Sequence, residues 1–71
     1  MNVVQFSIMQ SVEGWVRANK RPVPFGFIAS ELGIIPKNTV KYSIRALVKA
    51  GYLRKSVVRS NTVSYVQLRS L

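Results

Sequence analysis

The chain predicts an α+β domain: three helices, a short strand between the first two, and a C-terminal two-stranded β-hairpin. Two observations carry that expectation. Apolar residues recur at about 3.6-residue spacing up to Gly51 and at alternate positions beyond it. Chain breakers fall between the periodic runs: Asn19-Lys20-Arg21-Pro22, Gly33 and Gly51, then Arg59-Ser60-Asn61-Thr62. With 71 residues, 48% of them hydrophobic, the chain is long enough for one small domain, 1–71, and too short for two.

The first helix is expected over about 3–19. Val4, Ile8, Val12 and Trp15 form its stripe, widened by Met9 and Val16. Asn2 suits the N-cap, and Glu13 to Arg17 has favourable i,i+4 spacing. Trp15 reads as core, with a second reading that places it beside Phe6 and Met9 in a dimer interface. Val23 lies between two prolines and so can make only a short edge strand. A second helix over about 26–32 buries Phe27, Ile28 and Leu32, leaves Ser30 and Glu31 to solvent, and ends at Gly33.

The third helix, expected over about 37–50, has two unlike faces. Val40, Ile44, Leu47 and Val48 share one side, while Asn38, Lys41, Tyr42, Arg45 and Lys49 share the other, with no acid among them. A merely solvated helix more often mixes both signs, because i,i+4 pairs then support it. Pro36 fits the first turn, leaving Asn38 or Ile35 as the cap. Gly51 sits where a left-handed cap is needed. Leu53 to Val58 and Val63 to Leu68 then read as the strands of a hairpin spanning about 53–68, with Ser60-Asn61 at its turn.

Charge narrows the function. Eleven Lys and Arg residues stand against Glu13 and Glu31, a formal net charge of +9, which points to phosphates or anionic lipid. Cysteine and histidine are both absent, which removes thiolate and imidazole metal sites and the usual acid–base and nucleophilic groups. No enzyme activity and no cofactor are therefore expected. No apolar run approaches the roughly 18 residues of a membrane span, and Met1 to Gln10 lacks the basic start of a secretory signal. A cytoplasmic protein is expected.

Two stretches resemble the winged helix-turn-helix family. Ile28-Ala29-Ser30-Glu31-Leu32-Gly33-Ile34 is similar to its positioning helix and turn, and Thr39 through Leu53 is similar to its recognition helix running into the wing. The likeness covers about 23–68, and the turn from Gly33 to Asn38 is about a residue longer than the family's shortest. The resemblance implies that the third helix enters a DNA major groove while the hairpin wing follows the backbone or the minor groove. Arg45 and Lys41 then suit guanine edges, and Asn38 suits adenine. Thr39 and Tyr42 suit phosphates or methyl groups. Lys37, Lys49, Arg54 and Lys55 suit phosphates. Arg59, with Asn61 beside it in the wing turn, suits a narrow minor groove.

The function this implies is sequence-specific binding of double-stranded DNA by a small transcriptional regulator. Repression is favoured over activation, because site occupancy alone can block polymerase and the chain has little room for an effector pocket. A homodimer would supply the second half-site that one small domain lacks. Helix one or Leu68-Arg69-Ser70-Leu71 would provide the interface. No small-molecule ligand and no membrane partner are evident. Two alternatives stay open: a winged-helix module binding protein or RNA, and a DNA-architectural or recombination accessory factor of excisionase type.

Overall fold

A computed structural model describes residues 1–57 and 62–71. Helix α1 spans Val3–Asn19, strand β1 Val23–Pro24, helix α2 Phe25–Glu31, helix α3 Lys37–Lys49, strand β2 Leu53–Val57 and strand β3 Val63–Gln67. The three strands form one antiparallel sheet in the order β1-β3-β2. The expected hairpin turn, with Val58, Arg59, Ser60 and Asn61, lies outside the described residues.

Each element starts and stops for a local reason. The Asn2 side chain accepts from Gln5 N–H at 2.8 Å, and the Gln5 side chain accepts from Asn2 N–H at 3.1 Å, a reciprocal capping box. Lys20 closes α1 in the left-handed conformation, φ 53° and ψ 42°. Val23 and Pro24 occupy the sheet edge, where the missing proline N–H breaks no ladder. Pro24 is also the cap of α2, so strand passes into helix without a loop. The α2–α3 turn absorbs its length at Ile34, which projects into solvent at 96% exposure, while Ile35 packs against the core.

Two expectations about local structure are corrected. The cap of α3 is Pro36, with no side-chain hydrogen bond, and neither Asn38 nor Ile35 takes that place. The backbone of Pro36 is already extended and its carbonyl accepts from Val40 N–H at 3.1 Å, so helix starts one residue later. Glu13 forms no ion pair with Arg17 among the described residues. Its Oε2 instead accepts from Leu71 N–H at 2.7 Å and Gln67 Nε2 at 3.1 Å, two donors brought close by β3.

The core draws Ile8, Met9 and Val12 from α1, Val23 from β1, Ile28 from α2, Val40, Ile44 and Leu47 from α3, and Leu53 from β2. Met9 is fully buried there, so it is unavailable to the dimer face considered for helix one. Trp15 is half-buried and packs on Phe27, with ring centroids 4.8 Å apart.

Gly51 joins α3 to β2 with φ 87°. Its N–H donates to the Val48 carbonyl at 3.1 Å and Tyr52 N–H donates to the Leu47 carbonyl at 2.9 Å, the paired bonds of a Schellman turn. A Cβ at position 51 meets no atom within 4 Å, so substitution there costs backbone conformation alone. Gly51→Ala should lower stability by about 1 kcal/mol in urea unfolding, after allowing for the smaller entropy of the unfolded alanine chain. An unchanged midpoint would show that this turn accepts an L-residue freely.

Candidate functional site

The turn at Gly51 reverses the chain so that β2 runs back beside α3. Strand alternation puts Leu53 and Lys55 on one face of β2, and Leu53 is buried, so Lys55 also faces the helix side. The register pairs Lys55 with Tyr65 and Tyr65 with Val23, giving one cross-sheet row. Between that row and α3 lies an open cleft of about 690 Å³. Ile44, Val48 and Val63 provide apolar lining, and Phe25 and Gly26 close one end.

The rim of the cleft is cationic. Lys41, Arg45 and Lys49 recur every fourth residue along α3, and Lys55 faces them from β2. No acid is among its described lining residues. Lys41 Nζ lies 5.8 Å from the centre of the Phe25 ring, and the Arg45 guanidinium lies 5.7 Å from that of Tyr42. Such contacts hold a cation without neutralising it. Both side chains remain exposed.

The remaining expected site residues fall elsewhere. Lys37, Asn38 and Thr39 form the exposed first turn of α3, outside the cleft lining. Tyr42 is 68% exposed on the crest of α3, one turn beyond Asn38. Arg54 pairs across the sheet with Val66 and, by alternation, faces away from Lys55 and the cleft. Arg59 and Asn61 lie outside the described residues. The α3 face expected as one surface is thus two: a crest of Asn38 and Tyr42, and a flank of Lys41, Arg45 and Lys49 turned to the hairpin.

Phe25 and Tyr65 belong to the site and were missed in the sequence. Phe25 was at the edge of the expected second helix, and its use as a platform for Lys41 needs the α2–α3 packing. Tyr65 lies in an uncharged strand, and the 55–65 register that places it opposite Lys55 depends on the hairpin turn.

Burial raises the Tyr65 phenol above the ordinary tyrosine value, and the nearby Arg45 guanidinium lowers it in part. No helix among the described residues is long and apolar enough to cross a membrane. The described residues hold no group of three or more His, Cys, Asp or Glu side chains able to bind a metal ion. Comparison with protein-family models, curated proteins and solved structures finds no match.

Because the folded phenol of Tyr65 ionises later than the unfolded one, its neutral form adds stability. That contribution is fully present below the unfolded tyrosine pKa of about 10 and is lost as pH rises through the folded value. Alkaline titration followed by tyrosinate absorbance should show a late-ionising phenol, and Tyr65→Phe should remove it. A late component that survives the replacement would overturn the assignment to Tyr65.

Proposed function

We propose that this chain is a winged helix-turn-helix domain that binds double-stranded DNA. The observation that carries the reading is the one-signed surface on either side of the cleft: Lys41, Arg45 and Lys49 on α3 and Lys55 across from them, with no acid among the described lining residues. An exposed helix of 13 residues beside a basic hairpin matches the width of a major groove and the backbone at its edge. Asn38 and Tyr42 on the crest, Thr39 in the first turn and Arg45 where crest meets flank present amide, phenol, hydroxyl and guanidinium groups to base edges. The flank residues Lys41, Lys49 and Lys55 take phosphates.

Lys41, first assigned to a guanine edge, fits a phosphate better. Its Nζ lies over the Phe25 ring of α2, at the end of the cleft that Phe25 and Gly26 close. Tyr65 can donate its neutral hydroxyl to the same backbone. The protein then acts as a small transcriptional regulator that represses by occupying its site. A homodimer supplies the second half-site, and the exposed apolar residues Val3, Phe6, Leu68 and Leu71 support such an association.

Replacing Lys41 and Arg45 together by Ala should weaken duplex binding on the order of a hundredfold. The slope of log affinity against log salt should become shallower by about one, the share of the Lys41 phosphate contact. Fluorescence anisotropy with a selected duplex over a salt series measures both. Unchanged affinity in a folded double variant would overturn the reading.

A further inference from the structure

A smaller cavity, of about 310 Å³, lies at the other end of β3 and is lined by Val16, Lys20, Arg21, Pro22, Val66 and Gln67. It shares no lining residue with the cleft, which meets β3 at Val63 and Tyr65. Two adjacent cations stand at this corner, and their backbone is held from several sides. Lys20 N–H donates to the Val16 carbonyl at 2.8 Å. Asn19 Nδ2 donates to the Trp15 carbonyl at 3.1 Å, and Trp15 Nε1–H donates to the Arg21 carbonyl at 3.2 Å. The Arg21 guanidinium rests 5.6 Å from the centre of the Trp15 ring, which is itself packed on Phe27.

The identity of residue 20 is the informative point. Among the described residues Lys20 alone has positive φ without being glycine. A left-handed helix end favours glycine, because any Cβ there crowds the backbone. The helix dipole does favour a cation at this end, but Arg17 already supplies one in the last turn. Fold stability therefore argues for glycine at position 20, and the lysine calls for another use.

We propose that this corner holds the phosphate backbone of a second duplex segment, so that one molecule joins two stretches of DNA. The proposal rests on the DNA-binding reading above, in which the cleft and α3 hold the first segment. Lys20 and Arg21 suit a backbone because they are adjacent cations with no acid and no unengaged amide donor among the described lining residues. The one amide side chain there, Gln67, donates to Glu13 Oε2 and to the Arg69 carbonyl. The second contact is sequence-neutral and salt-sensitive.

The test uses the full chain, one duplex fixed to beads and a second, fluorescent duplex free in solution at near-physiological salt. The wild-type chain should capture the second duplex. Lys20→Gly combined with Arg21→Ser should lower capture about tenfold while changing affinity for a single duplex less than about threefold. Lys20→Gly alone should unfold at the same or a higher temperature, which separates the effect from damage to the fold. The proposal is overturned if the wild-type chain binds one duplex without capturing another, or if the double variant captures as well as wild type. Parallel loss of both affinities would also overturn it, by making the corner part of a single site. Absence of any duplex binding by the wild-type chain would sink the DNA-binding reading itself, and this inference with it.

Discussion

The reversal at Gly51 is the constraint on which the site depends. Two backbone hydrogen bonds close α3 there and send the chain back as β2, with Leu53 entering the same core as Ile44 and Leu47. Position 55 then faces the helix two residues later. The cleft is therefore a consequence of one left-handed residue followed by strand alternation. Among the described residues, the apolar side of α3 (Val40, Ile44 and Leu47) is held by six further buried residues drawn from α1, α2, β1 and β2. That anchorage leaves the opposite side free to carry charge.

A small domain with net charge +9 must accommodate its own repulsion. Ion pairs do not do this here, since neither Glu13 nor Glu31 pairs with a cation among the described residues. Aromatic rings take part of that role. Lys41 lies over Phe25, Arg45 over Tyr42, Arg21 over Trp15 and Arg69 over Tyr52, the last at 4.7 Å. A ring face attracts a cation through its quadrupole and leaves the charge available to a further partner. The same contacts restrict long side chains that would otherwise lose rotamer freedom on binding. Cations placed in this way are ordered before any anion arrives.

Much of the architecture was legible because single residues carried it. The α1 stripe, the Asn2 cap, the edge strand confined between prolines and the left-handed Gly51 each follow from local chemistry. The two faces of α3 were also readable, since a helical period sorts residues by angle. What was not legible needed contacts distant in sequence. Tyr65 joins the site only through its register with Lys55, and Arg54 leaves it by the same alternation. Glu13 was assigned to its helical neighbour because the spacing was favourable, yet β3 brings two better donors to it. Proline at position 36 was expected inside the first turn, but its extended ψ of 141° makes it the boundary.

The split of α3 into crest and flank bears on how affinity and selectivity are divided. On the proposed DNA-binding reading, flank cations at a cleft wall meet the duplex through charge, which falls off with salt and is indifferent to sequence. Crest groups meet it through directional hydrogen bonds, which reward one arrangement of donors and acceptors over others. Arg45 is at the junction, over the Tyr42 ring of the crest while lining the cleft and partly offsetting the rise that burial gives the Tyr65 phenol. Displacing it disturbs both surfaces, whereas a change at Lys49 or Asn38 reaches only one. The coupling of orientation to charge is thus concentrated in a single guanidinium, which has the planar donor array suited to both tasks.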